Sequence, residues 1–137
     1  ESPAVVIDGA HNPAGASVLA KTLVEDFTFR RLILVFGVLG DKDYRGMLTR
    51  LLPVADHIIV TRPKEERALS PDVPARWVRA AGRRPEVIED SGEAMERALG
   101  LAGRGDLICV TGSLYLVGEI RAGFAGSGKP DLSFPAG

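Results

Sequence analysis

Three apolar β-branched residues, Val5-Val6-Ile7, break at once into Asp8-Gly9-Ala10-His11 and then into Asn12-Pro13. No other stretch constrains the fold of this chain as strongly. β-Branched side chains suit a pleated strand, and an uninterrupted apolar run suits one buried on both faces, as in a parallel sheet. Gly9 lets the backbone turn tightly. Asn12 is a good helix N-cap and Pro13 a good first helical residue. Asp8 and His11 are therefore expected at the carboxyl end of a strand, beside a helix N-terminus, where open α/β sheets bind their ligands. Taken alone, the same pattern is also ordinary connection chemistry.

The alternation repeats along the chain. Ala14 to Asp26 reads as a helix, with Ala16, Leu19, Ala20, Leu23 and Phe27 at helical spacing. Arg31 to Phe36 reads as a second buried strand, followed by a polar loop from Gly37 to Asp43. Tyr44 to Leu52 reads as a short helix limited by Pro53, and Asp56 to Thr61 as a third strand. His57 opens that strand, away from the carboxyl-end loops, and reads as structural or exposed. Ser70-Pro71 predicts an N-cap and helix start, with Val73, Trp77 and Ala80 or Ala81 facing inward. Glu86 to Glu89 is a weaker fourth strand, and Ser91 the predicted cap of a helix carrying Ala94, Ala98, Leu101 and Ala102. Asp106 to Thr111 reads as a fifth strand and Leu114 to Phe124 as the last helix.

Five strands alternating with five helices predict a three-layer, Rossmann-like α/β fold with a mostly parallel sheet. The loops after strands one, two, three and five then meet at one edge. Residues 1–124 form the expected domain, and residues 125–137, rich in Gly and Pro, a loose tail with at most a short extended piece. A chain that opens on Glu1, just before a core strand, reads as a piece of a longer polypeptide.

Charge and cysteine content narrow the class. Lys and Arg total 17 against 18 Asp and Glu, so the basic footprint of a nucleic-acid or anionic-membrane binder is missing. No apolar run approaches the roughly 18 residues of a membrane span. Cys109, the one cysteine, sits inside an apolar run and reads as a small buried hydrophobe, which fits a reducing cytoplasm.

Four segments in order carry a resemblance. They are Asp8-Gly9-Ala10-His11-Asn12-Pro13, then Phe36 to Asp43, then Thr61-Arg62-Pro63 with Arg67-Ala68, then Val110-Thr111-Gly112-Ser113-Leu114-Tyr115. Together they resemble the C-terminal domain of the folylpolyglutamate synthase and dihydrofolate synthase family, within the Mur ligase superfamily. The resemblance implies an ATP-dependent ligase that joins L-glutamate to folate or dihydropteroate through an acyl phosphate. It also implies a sixth, antiparallel strand. Asp8 and His11 are the implied catalytic residues. Both, with Ser113 and Tyr115, are the implied glutamate contacts. Asn12, Lys42, Asp43 and Arg62 are further candidates for nucleotide or phosphate contact, beside Asp41 and Arg67, and no protein metal ligand is implied here. In such a site Asp8 can accept from an α-ammonium, while Ser113, His11 and helix-start N–H groups can donate to carboxylate.

The family's P-loop, Mg2+ ligands and most of its pterin pocket belong to an N-terminal domain that this chain lacks. ATP and Mg2+ are thus cofactors expected mainly on that partner domain. Gly123 to Lys129 fits the spacing G-x-x-x-x-G-K, but it follows a helix and leads into Pro130, unlike a working phosphate loop. Two other readings stand beside the ligase: a stand-alone, non-catalytic amino-acid-binding module, and a cell-wall Mur-type amino-acid ligase domain.

Overall fold

The computed structural model describes residues 3–125 and 131–133. The chain runs β1 (Ala4–Asp8), α1 (Pro13–Asp26), β2 (Leu32–Phe36), α2 (Tyr44–Leu51), a 3-10 turn (Leu52–Val54), β3 (His57–Arg62), α3 (Asp72–Ala80), β4 (Glu86–Asp90), α4 (Ser91–Leu101), β5 (Leu107–Thr111), α5 (Leu114–Phe124) and β6 (Leu132–Ser133). The strands form one sheet in the order β4-β3-β2-β5-β1-β6, and each pairing is parallel.

Alternate strand residues feed two separate cores, because successive side chains leave a strand on opposite faces. Val6, Leu34, Phe36, Ile58, Val60 and Cys109 pack with Leu19 and Leu23 of α1, Met47 and Leu51 of α2, and Val78 of α3. Val5, Ile7, Ile33, Val35, Ile59 and Val110 pack with Ala94 and Met95 of α4 and Leu116 and Ile120 of α5. Right-handed crossovers account for this division. From β1 through β4 the chain steps one way across the sheet, placing α1, α2 and α3 on one face. From β4 through β6 it steps back, placing α4 and α5 on the other. Cys109 is fully buried, and that burial pushes its thiol pKa far up, so it serves as packing.

The three-layer parallel fold predicted from the alternation is present. The sixth strand is present too, but it runs parallel to β1, through Val5↔Leu132 and Val6↔Ser133. A strand reached by a helical crossover from β5 re-enters at the amino end of the sheet, which makes it parallel. β6 lies within the stretch read as a tail. Residues 126–130 and 134–137 lie outside the described residues, and so does most of the G-x-x-x-x-G-K run, of which Gly123 and Phe124 close α5.

Local expectations at two helices need correction. Ser70 does not cap α3. Pro71 occupies the cap position with helical φ and ψ and no side-chain bond, while Ser70 accepts Val73 N–H through its backbone carbonyl. The buried face of α3 is Pro74, Ala75 and Val78, with Val73 and Trp77 half-buried beside it and Ala80 and Ala81 exposed. Ser91 does not cap α4 either. β4 passes into α4 without a loop, so the carboxylate of Asp90 takes Glu93 N–H at 2.9 Å. Ser91 becomes the first helical residue, and its hydroxyl donates to Glu119. The inward residues of α4 are Ser91, Ala94, Met95 and Ala98, with Leu101 and Ala102 only partly buried.

The amino edge of the sheet is stapled by charge. Asp106 is buried and accepts from Gly103 N–H at 2.8 Å and from Arg31 Nη2 at 2.9 Å, with Arg30 Nε at 3.4 Å. His57 bonds Glu86, which also accepts from Arg97 at 2.9 Å, so His57 is structural as expected. The hydrogen bonds from Arg31 and Gly103 hold the Asp106 carboxyl well below the usual carboxylate range. Its contribution to stability is therefore fully present above the unfolded value of about 4 and fades as pH falls from there toward the folded value. Asp106→Ala removes the acceptor of the Gly103 N–H, while the two arginines stay in contact with solvent, and is expected to cost about 1–3 kcal/mol in urea unfolding at pH 7. The gap between variant and parent should shrink as the medium is acidified below about pH 4.

Candidate functional site

β5 lies between β1 and β2, yet its helix leaves on the opposite face of the sheet from α1 and α2. Three carboxyl ends thus open onto a crevice that no crossover helix covers, the switch point of the sheet. Thr111, the last residue of β5, pairs with Asp8 on one side and Phe36 on the other. Its buried hydroxyl donates to the Asp8 carbonyl at 2.7 Å, and its own carbonyl accepts Gly37 N–H at 3.3 Å. Gly112 follows with φ +115°, and a side chain there would overlap the Gly37 carbonyl oxygen. Two backbones therefore meet where only glycine fits. At the β1 end, a side chain on Gly9 would run into Leu114.

Turn chemistry places the motif residues. Asp8 Oδ2 accepts Ala10 N–H at 3.0 Å, closing an Asx turn at the end of β1. His11 Nδ1 lies 3.0 Å from the Gly9 carbonyl oxygen. A carbonyl can only accept, so Nδ1 carries a proton and a neutral ring leaves its lone pair on Nε2. Asn12 Oδ1 caps α1 through Gly15 N–H at 2.7 Å, and Asp43 Oδ1 caps α2 through Gly46 N–H at 2.9 Å. Ser113 is buried at the N-cap of α5 and accepts Tyr115 N–H at 3.0 Å. Its hydroxyl proton remains available to donate.

The loop after β3 folds onto the loop after β2. Leu39 and Ala68 form an antiparallel bridge, Gly40 N–H donates to the Arg67 carbonyl at 2.8 Å, and Leu69 N–H donates to Val38 at 2.9 Å. Arg67 is carried to Tyr115, where its Nη2 donates to the phenol oxygen at 3.1 Å and its guanidinium lies 5.8 Å from the ring centre. Arg67 Nε also donates to Glu65 at 2.9 Å.

These loops enclose a cavity of about 250 Å3. Its polar lining is His11, Lys42, Arg67, Ser113 and Tyr115, completed by Leu39, Gly112 and Leu114. Among the residues expected from sequence, His11, Lys42, Arg67, Ser113 and Tyr115 thus line one cavity. Asp8, the last residue of β1, is outside the lining, as are Asn12 and Asp43, which serve as helix caps. Lys42 Nζ is 3.7 Å from Asp41. Arg62 faces a different cleft, with Lys64, Glu65, Glu89 and Asp90, and pairs with Glu89 at 3.3 Å. Leu39 and Leu114 line the cavity without being among the residues expected from the sequence. Leu114 had a signal: it falls off the buried stripe of Leu116, Val117 and Ile120 and is left exposed.

The site and fold define an α/β domain whose switch-point cavity suits an anionic ligand. Residues 1–114 match the family described as Mur ligase, glutamate ligase domain, and the chain belongs to that family. The dihydrofolate synthase/folylpolyglutamate synthase of Mycobacterium tuberculosis is 41% identical over 90% of this chain. A crystal structure of a bifunctional folylpolyglutamate synthase/dihydrofolate synthase with Mn, AMPPNP and L-glutamate bound superimposes with a TM-score of 0.83 at 26% identity, covering 91% of this chain and 30% of that one. A cell-wall relative, the UDP-N-acetylmuramoyl-L-alanyl-D-glutamate–2,6-diaminopimelate ligase of Rhizobium meliloti, is 30% identical over 82% of this chain and 24% of its own length. The chain spans 28% of the length of the mycobacterial relative.

The glycines of the site give a direct test of the packing. Gly112→Ala is expected to destabilise the domain by about 2 kcal/mol or more, from positive φ and overlap with Gly37. Gly118→Ala, on an open face of α5, should stabilise it by about 0.5–1 kcal/mol. Paired urea titrations read both values.

Proposed function

We propose that this domain supplies the L-glutamate-binding half of an ATP-dependent ligase that extends folate or dihydropteroate by an amide bond. The lining of the switch-point cavity carries the proposal: Lys42, Arg67, His11 and Ser113 converge there with the N-terminus of α5, and no carboxylate lines the cavity. Glutamate brings two carboxylates, which Lys42, Arg67, the Ser113 hydroxyl and the helix N-terminus can receive. Its α-ammonium needs an acceptor, and Asp8 keeps Oδ1 unused by its turn. The attacking nitrogen must also shed a proton. The Gly9 carbonyl fixes the Nδ1 proton of His11, so Nε2 of a neutral ring can accept that proton at the cavity.

The Lys42 ammonium also suits phosphate oxygens, as does His11 once Nε2 has taken a proton, so both fit the phosphate end of a nucleotide as well. ATP supplies the phosphoryl group that activates the substrate carboxylate. Among the described residues no group of three His, Cys, Asp or Glu side chains could hold a metal ion. We assign the Mg2+ ligands and the phosphate loop to a partner domain, since the chain spans 28% of the length of its mycobacterial relative, and this domain meets that partner in the cytoplasm to complete the site. No helix among the described residues is long and apolar enough to cross a membrane.

The test is reconstitution with an N-terminal phosphate-loop domain of a folate ligase, following incorporation of labelled L-glutamate. The chain alone should turn over nothing, and the assembled pair should be active. His11→Ala and Ser113→Ala should each raise KM for glutamate by about tenfold or more, as expected for lost hydrogen bonds to a charged substrate. Ligation by the isolated chain, or an unchanged KM in both variants, would sink the proposal. Glutamate binding without ligation in the assembled pair would favour a non-catalytic amino-acid-binding module. Preference for diaminopimelate over glutamate would favour the cell-wall branch.

A further inference from the structure

The loop that delivers Arg67 to the cavity is held from beneath by a side chain outside every motif. Glu119 sits in the second turn of α5, half-buried. Its Oε2 accepts the backbone N–H of Lys64 at 2.5 Å, and its Oε1 accepts the Ser91 hydroxyl at 2.7 Å. One carboxylate thereby joins α5, the first turn of α4 and the loop that follows β3. Lys64 lies three residues before Arg67, and the far side of the same loop is fixed by the Leu39–Ala68 bridge. Between these two anchors the backbone has little freedom, and Arg67 is aimed at Tyr115 and the cavity. Tyr115 stands one helical turn before Glu119 on α5. A single helix therefore sets the loop's height through Glu119 and receives its arginine through Tyr115.

We propose that Glu119 is a positioning residue for anion binding: it fixes the residue 63–69 loop so that Arg67 stands over the cavity. The proposal rests on the glutamate-binding reading given above. Glu119 touches no cavity atom, since it is absent from that lining, and it acts through Arg67. A charged acceptor suits the task, because a carboxylate can take both donors at once whereas a carboxamide has only one acceptor atom.

L-Glutamate affinity of the 137-residue chain, read from amide shifts of Ser113 and Tyr115 by NMR, tests this together with hydrogen exchange at the Lys64 amide. Glu119→Ala should weaken affinity about five- to tenfold and speed Lys64 exchange, with Glu119→Gln between it and the parent. In an Arg67→Ala background, Glu119→Ala should add nothing, because the residue it positions is gone. Ser91→Ala removes the other partner of the carboxylate and should leave affinity unchanged. Equal weakening by Glu119→Ala in both backgrounds overturns the proposal, as does unchanged affinity when Lys64 exchange becomes fast. Should Glu119→Ala fail to fold, Glu119→Gln carries the same comparison, since it keeps the shape of the side chain. Arg67→Ala with unaltered affinity is the separate failure of the glutamate-binding reading. Glu119's hold on the loop is then overturned only if Lys64 exchange stays slow in Glu119→Ala.

Discussion

Everything at the site depends on how closely β5 approaches the ends of its two neighbours. Thr111 bonds the Asp8 backbone on one side and receives Gly37 N–H on the other. Gly112 then turns away at positive φ, against the Gly37 carbonyl. Three loops with different chemistry are thereby brought within one cavity. A β-carbon at Gly112 would force them apart, because backbone against backbone has no soft atom to yield.

The sheet divides its duties between its two edges. At the amino edge buried Asp106 collects two arginines and a backbone N–H, and His57 joins Glu86 and Arg97. These charges are matched within the domain. At the carboxyl edge Lys42 and Arg67 stand in a cavity whose lining has no carboxylate, although Asp41 and Glu65 lie beside them outside it. Matched charge at the amino edge serves folding, and under the proposed function the cations at the cavity receive the ligand. The two-sided core between these edges supplies the rigidity that lets loops hold such an arrangement.

Much of this was legible in the linear chain, and the exceptions are physical. Uninterrupted apolar runs at Val5–Ile7, Leu32–Phe36 and Leu107–Val110 identify buried parallel strands, and they appear as such. Asn12 announced the start of α1 because Asn-Pro caps a helix by local chemistry alone. Ser70 and Ser91 misled for the opposite reason. At each of these helix starts a competitor, a helical proline or a stronger carboxylate acceptor, stood one residue away, and tertiary packing chose between them. The stripe of α3 was displaced by one residue. Glu119 gave no signal, since a half-buried acid on a helix looks like any solvated one until its partners, 28 and 55 residues away, are in place.

The sequence by itself determined the alternation of strand and helix, the two-faced burial of the central strands, and the residues that end β1, β2 and β5. These follow from side-chain shape, hydropathy period and local capping, which act within a few residues. Only the tertiary structure decided that β5 enters between β1 and β2, that the loop after β3 lies on the loop after β2, and that Arg67 meets Tyr115. It also decided that Asn12, Asp43 and Arg62 stand outside the cavity that His11, Lys42 and Ser113 share. Those outcomes turn on contacts between residues dozens of positions apart, whose energy exists only once the sheet has closed.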